Sequence, residues 1–173
     1  MDQTQQDILC YCAFCQTQHG SAVAQRISDQ LHCRAFYPVQ VQHTWKKGKA
    51  VDIEHPLTPG YVFFYAAEEP NLALLRSIGG LLKLLRYSDG DARLQGGDRQ
   101  FALMLLEKNG ALGKTKVYRE GDRIRLKEGA FYGVESSILK VDRRNMRMQI
   151  ELPFAGSTIK TWVEYETVEA LDE

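Results

Sequence analysis

The sequence predicts an α+β chain in two parts: an N-terminal antiparallel β-sheet flanked by helices, then a small C-terminal SH3-like β-barrel. Three observations carry this expectation. Up to Leu112, β-rich aromatic runs such as Tyr61-Val62-Phe63-Phe64-Tyr65 alternate with segments of helical period. From Gly113 no helical period persists and short alternating strands follow one another. A chain of 173 residues also suits one mixed core followed by a minimal module.

The elements follow in order. Ile8 to Cys15 mixes apolar, aromatic and Cys residues as a buried strand does. Ser21 is placed to cap a helix carrying Val23, Ala24, Ile27 and Leu31 at helical spacing. Cys33 to Val41 alternates as a strand, and Gln42 to Ile53 reads as a hairpin with Gly48 at its tip. Pro56 and Pro59-Gly60 bound the central strand Tyr61–Tyr65. Pro70 suits the first turn of a helix with Leu72, Leu75 and Ile78 inward and Gly79-Gly80 at its end. Leu81–Tyr87 is a further strand, and Asp98–Leu112 a last helix bearing Phe101, Met104 and Leu105. The result is β-α-β-β-β-α-β-α over residues 1–112, one antiparallel sheet with helices. Residues 113–119 read as a polar linker. Barrel strands are expected over 120–173, at Arg123–Lys127, Ser137–Val141, Met146–Leu152 and Ile159–Val163, with Thr167–Leu171 as a fifth.

Composition limits the function classes. Hydrophobic residues make up 44% and charged residues 25%, and Lys+Arg equals Asp+Glu at 22 each, so attraction to a polyanion must come from local patterning. Met1 to Asp7 lacks the basic start and apolar stretch of a secretory signal, and no apolar run reaches membrane-spanning length. A cytoplasmic monomer with no membrane partner is the expectation. Cys10, Cys12, Cys15 and Cys33 make a poor disulfide framework and read as free thiols.

The stretch from Glu120-Gly121-Asp122-Arg123-Ile124 through Gly129-Ala130-Phe131-Tyr132-Gly133-Val134-Glu135 closely resembles a KOW motif. Ile124 and Leu126 suit a barrel core, and Gly129 and Gly133 permit tight turns around Phe131. That motif also occurs in ribosomal proteins. Pro59-Gly60-Tyr61-Val62-Phe63-Phe64, followed by Leu75-Arg76-Ser77-Ile78-Gly79-Gly80, is similar to the signature of the NusG N-terminal domain. Together the two motifs span nearly the whole chain and identify it as resembling the NusG family of transcription elongation factors. Three departures, Cys10-Tyr11 in place of Trp-Tyr, Ser136 in place of Gly and a short linker, resemble specialised paralogues of the LoaP and RfaH kind.

The resemblance implies that the N-terminal domain grips the clamp coiled coil of RNA polymerase through an aromatic depression on its sheet. The matching positions are Phe14, Tyr61 and Phe63, with Phe36 and Pro59 at the rim and Arg76 against a polymerase loop. Aromatic anchors give large contact area at small entropic cost. Each aromatic has an alternative as plain core, because the face it occupies depends on strand register, and Arg76 can instead cap the helix it ends. Trp45-Lys46-Lys47-Gly48-Lys49 is a hairpin tip with cations beside an indole, suited to upstream DNA or to a solvated loop. In the barrel, Arg123, Arg125 and Lys127 share a strand face, and Arg143, Arg144 and Arg147 flank a turn at Asn145. Adjoining, they would hold the phosphates of a structured leader RNA; apart, the barrel serves as a protein-docking face.

Enzymatic readings lack a constellation. His19, His32, His43 and His55 are scattered, and neither a nucleophile elbow nor a phosphate loop is present, so neither cofactor nor catalytic residue is expected. Cys12-Ala13-Phe14-Cys15 with His19, His32 and Cys33 leaves a zinc site as a rival reading, disfavoured because Cys10 and Cys12 share a strand face. A ribosome-associated KOW protein is the other rival.

Overall fold

Strand β1 (Leu9–Cys15) lies inside a four-stranded sheet because its residues are apolar on both faces. Its antiparallel partners are β5 (Tyr61–Ala66) on one side and β6 (Leu81–Leu84) on the other, while β2 (Arg34–Phe36) adds to the far edge of β5. The computed structural model describes residues 7–120, 123–128, 131 and 137–168.

Helix α1 (Gly20–Leu31) buries Val23, Ala24 and Ile27 against Tyr11, Ala13, Val62 and Phe64 on one sheet face. Ser21 does not cap it. A 3-10 turn over Thr17–His19 runs directly into the helix, and His19 takes the cap position without a side-chain bond. The expected strand over Cys33–Val41 is split at Tyr37-Pro38 into β2 and β3 (Val39–Lys46), since proline cannot continue a ladder. β3 pairs with β4 (Lys49–Pro56) in a two-residue hairpin whose Lys47 and Gly48 both take positive φ, 50° and 74°, as a type I′ turn requires.

The single sheet expected for this part is in fact two. The hairpin belongs to a separate three-stranded sheet with β7 (Ala111–Leu112), which pairs parallel to β3. The segment opened by Pro70 is a 3-10 helix over Leu72–Ser77, capped by the Asn71 carboxamide accepting from the Ala73 N–H at 3.2 Å. Six residues are too few to nucleate a stable α-helix. Leu75 and Ile78 are buried as expected, and Leu72 packs beside them. Helix α2 (Gly96–Glu107) starts before Asp98 and stops short of Leu112, because Asn109 and Gly110 adopt positive φ and release the chain into β7.

The C-terminal part is a five-stranded sheet in the order β10 (Ser137–Asp142), β11 (Arg147–Phe154), β12 (Ser157–Thr167), β8 (Thr115–Glu120), β9 (Arg123–Glu128). Its fifth strand precedes the others: β8 occupies the stretch read as linker, with Thr115 and Val117 buried. Thr167 ends β12, and the rest of the expected Thr167–Leu171 strand beyond residue 168 lies outside the described residues. Strict alternation buries Met148, Ile150, Leu152 and Phe154 on β11 and Ile159, Thr161, Val163 and Tyr165 on β12. Ile124 and Leu126 pack against this core and Phe131 is buried within it; Gly129, Gly133 and Ser136 lie outside the described residues. No helix among the described residues is long and apolar enough to cross a membrane.

Candidate functional site

The β1–β5 register sets Phe14 opposite Tyr61 and Cys12 opposite Phe63, and the β2–β5 register sets Phe36 opposite Phe63. Four aromatic candidates, Phe14, Phe36, Tyr61 and Phe63, therefore share one face of the sheet, the face away from α1. The Phe14 and Tyr61 rings meet at 5.2 Å, and Phe36 packs edge-on to Tyr65 at 5.8 Å. Gly60, at φ 86°, has no Cβ because one would lie 2.8 Å from the Phe14 ring. Gly60 thus packs on the aromatic face.

The centre of that face is covered, with Phe63 buried and Phe14, Phe36 and Tyr61 half-buried. Helix α2 brings Phe101 against Phe63 at 5.8 Å, and the tip of the β11–β12 hairpin brings Phe154 against both, at 5.3 Å from Phe63 and 6.0 Å from Phe101. Phe131 stacks on Phe101 at 6.1 Å, so the barrel and the sheet share one continuous core. Polar contacts ring the apolar centre. The Tyr61 and Ser157 hydroxyls meet at 3.2 Å. The Ala155 N–H donates to the Asp98 carboxylate at 3.0 Å, and the Tyr87 hydroxyl donates to the same oxygen at 2.6 Å. Burial, helped by the Asp98 bond, pushes the Tyr87 phenol up to about 12, so it holds the proton that it donates.

Asp98, Phe154 and Ser157 are site residues that the sequence resemblance does not point to. Their signal is an apolar hairpin tip: Pro153-Phe154-Ala155-Gly156 places an aromatic where turns usually carry polar residues. Phe154 and Ala155 are buried although they flank a turn.

The other expected residues are dispersed. Pro59 is exposed and borders a cleft between the hairpin and the barrel. Arg76 is exposed on the 3-10 helix, whose Leu72 and Leu75 join the α1-side core, so it stands apart from the aromatic face. Trp45 is 75% exposed, and Lys46, Lys47 and Lys49 are exposed around the hairpin tip. In the barrel, Arg125 is exposed, while the side chains of Arg123 and Lys127 lie outside the described residues. Arg143 and Arg144 are exposed in the turn between β10 and β11, and Arg143 shares a small hollow with Ile124 of β9. Arg147 pairs with Asp142 at 3.1 Å, and its guanidinium lies 4.8 Å from the Trp162 ring centroid. Hydrogen bonds from Asn145, joined by Arg147, hold the Asp142 carboxyl below its ordinary value.

The cysteines are divided by the sheet. Cys10 and Cys12 face the α2 side and Cys15 the α1 side, so Cys12-x-x-Cys15 does not present two thiols to one point. Burial pushes Cys10 up to about 11 and Cys12 well above the ordinary thiol value. Among the described residues no group of three His, Cys, Asp or Glu is placed to hold a metal.

No family model and no curated protein matches this sequence. The structure is similar to one described as "Domain interaction in Thermotoga maritima NusG", with a TM-score of 0.53 and 14% sequence identity, over 92% of this chain and 95% of that chain. The chain has a NusG-like fold, an antiparallel sheet with helices joined to a strand-rich SH3-like part.

Proposed function

We propose that this protein is a transcription elongation factor that binds the clamp coiled coil of RNA polymerase through the aromatic face of its sheet, with the barrel acting as a removable cover, and that it modulates pausing or termination. One observation carries the reading: Phe14, Phe36, Tyr61 and Phe63 converge on one face, and Phe154 sits on it from a separate part of the chain. Aromatic anchors clustered in a pocket are what carries interface energy; Phe14, Phe36 and Tyr61 are half-buried, and a partner reaches Phe63 by displacing Phe154 of the barrel. The units of that exchange are the domain over 1–112 and the barrel, which takes in β8 from the stretch before residue 120. The protein acts by binding and not by catalysis, as a cytoplasmic monomer.

The finer proposal is operon-specific processive antitermination in the manner of LoaP or RfaH, with the barrel binding an RNA hairpin through Arg143 and Arg144 on their exposed turn and upstream DNA meeting Trp45, Lys46, Lys47 and Lys49. A housekeeping NusG-type factor whose barrel docks a protein is the alternative, and a ribosome-associated role is a third.

The test is binding of the full-length chain to purified bacterial RNA polymerase. Phe154→Glu places a charge in the covering contact and is expected to strengthen binding; Tyr61→Ala is expected to weaken it. Failure of both wild type and Phe154→Glu to bind would end the polymerase reading. Retention of hairpin-RNA binding by an Arg143→Ala/Arg144→Ala variant would end the finer one.

A further inference from the structure

Strand β6 forms one edge of the four-stranded sheet: β1 pairs with it on one side, and no strand among the described residues pairs with it on the other. Its register sets Lys83 opposite Phe14 and Leu84 opposite Ala13, so Lys83 stands on the aromatic face and Leu84 on the α1 face. The Leu85 N–H donates to the Cys12 carbonyl at 2.9 Å. Backbone groups alternate in direction along a strand, so those of Leu84 point outward to the open edge. Leu82 is the extra residue where the ladder shifts; it has no partner on β1 and is 56% exposed.

A groove of about 390 Å³ runs beside that edge, between β6 and the 3-10 helix Leu72–Ser77. Leu72, Leu75, Leu81 and Leu84 line it, all from the core cluster on the α1 side. Three cations line it as well: Arg76 from the 3-10 helix, Lys83, and Arg86 just beyond β6. All three are exposed, and none is paired with a carboxylate of a described residue. Arg86 donates to the Gly90 carbonyl at 2.9 Å, which leaves its charge uncompensated. In a chain of net charge zero, this is a local concentration of one sign around an apolar groove. A short edge bearing a lysine resists pairing with a second copy, since an antiparallel β6–β6 ladder would bring like charges together. Such resistance does not require leucines open beside the edge. Those suit a ligand that is apolar on one side and negatively charged on the other.

We propose that the β6 edge binds an extended acidic segment of a partner protein, which adds to the sheet as an antiparallel strand. The backbone of the segment pairs with the outward N–H and carbonyl of Leu84. Its side chains alternate between the two faces. Apolar ones enter the groove on the α1 side, and Asp or Glu on the other side meet Lys83. Arg76 and Arg86 take carboxylates that flank the apolar positions. Backbone pairing supplies affinity, and the alternation of groove and charge supplies specificity. The groove belongs to the α1 side, so a bound segment leaves Phe63 and its cover in place, and binding here needs no polymerase.

The test titrates the full-length chain with a synthetic peptide of about six residues, the length of an ordinary strand, in which Glu and Val alternate. Calorimetry and amide NMR shifts follow the binding. Saturable binding that weakens as salt rises is expected, with the shifts centred on Leu82, Lys83 and Leu84. In an antiparallel ladder the residue directly opposite Leu84 shares its face, so the Val nitrogens point at β6 and the Glu nitrogens away. Methylating the Val nitrogens is expected to abolish binding, and methylating the Glu nitrogens to leave it. Lys83→Glu is expected to weaken the acidic peptide at least about tenfold and to admit its Lys–Val counterpart, since like charges facing each other repel. Absent binding, equal loss on methylating either set of nitrogens, or no effect of Lys83→Glu overturns the proposal. So does displacement of the peptide by an equal concentration of single-stranded RNA, which would make the rim a phosphate site, or a dimer that excludes the peptide, which would give the edge to a second copy. Should circular dichroism show that Lys83→Glu misfolds, Arg86→Glu carries the same charge comparison, and unchanged affinity there overturns it too.

Discussion

On one face of the four-stranded sheet, Tyr11, Val62 and Phe64 are covered by α1, which follows β1 after a short turn; on the other, Cys12, Phe63 and Tyr65 are covered by α2 and by a hairpin tip of the barrel. Both faces are aromatic and the residues just named are buried, while Phe14, Phe36 and Tyr61 on the second face are half-buried. They differ in how the cover is attached. The α1 cover is local, whereas Ser157 reaches Tyr61 from 96 positions along the chain, and the contact is rimmed by a few polar bonds. Closing a long loop costs more chain entropy than closing a short one, and nothing covalent nearby holds the second cover in place. On the proposed function, the face whose cover is adjacent in sequence is structural and the face covered in part by a separate module is exchangeable.

Six substitutions sharpen or break that comparison. Phe64→Ala removes a ring stacked on Tyr11 at 5.1 Å beneath α1 and should cost about 3–5 kcal/mol of global stability in denaturant unfolding. Phe154→Ala removes a ring of similar burial, yet its loss, up to about 3 kcal/mol, should fall on docking: the far-UV signal of the sheet is kept while the face of Phe63 binds a hydrophobic dye. Cooperative unfolding of the whole chain in both variants would make the two covers equivalent and remove the distinction.

Asp98→Ala strips the partner from the part-buried Ala155 N–H and Tyr87 hydroxyl and should loosen the barrel by about 1 kcal/mol, the low end for unsatisfied donors. The same latch has a pH signature. The folded Tyr87 value, about 12, lies above the ordinary 10.0, so its contribution is fully present below about pH 10 and is lost as pH rises through about 12. Tyr87→Phe should flatten stability over that window, and an unchanged alkaline profile would assign the loss to other groups.

The smallest effect separates two hydroxyls. Tyr65 donates to the Ala102 carbonyl at 2.6 Å, so Tyr65→Phe should cost about 0.5–1.5 kcal/mol. The Tyr11 hydroxyl on the α1 face is buried with no hydrogen-bond partner among the described residues, so Tyr11→Phe should be neutral or stabilising by up to about 1 kcal/mol in thermal unfolding.

Local pattern made much of this legible. The apolar run in β1, the helical spacing of Val23, Ala24 and Ile27, and the alternation through β11 and β12 each announce their element, because a strand or helix must bury one face. Where pattern misled, a longer-range contact or a single backbone angle intervened. Thr115-Lys116-Val117 alternates weakly enough to read as linker, yet it becomes a strand because β9 and β12 offer it two ladders. The last helix ends early because Gly110 turns the chain into a pairing with β3.

The sequence by itself determined the α+β order, the barrel alternation and the supply of aromatic and cationic side chains, since these follow from periodicity and turn chemistry within a few residues. Only the tertiary structure decided which face Phe14, Phe36, Tyr61 and Phe63 occupy, that Phe154 packs on Phe63, and that Gln40, Thr161 and Trp162 line one cleft. The physical reason is that a one-residue change of register exchanges the faces of a strand, and the docking of one module on another is fixed by shape and long-range burial, which no local window of residues contains.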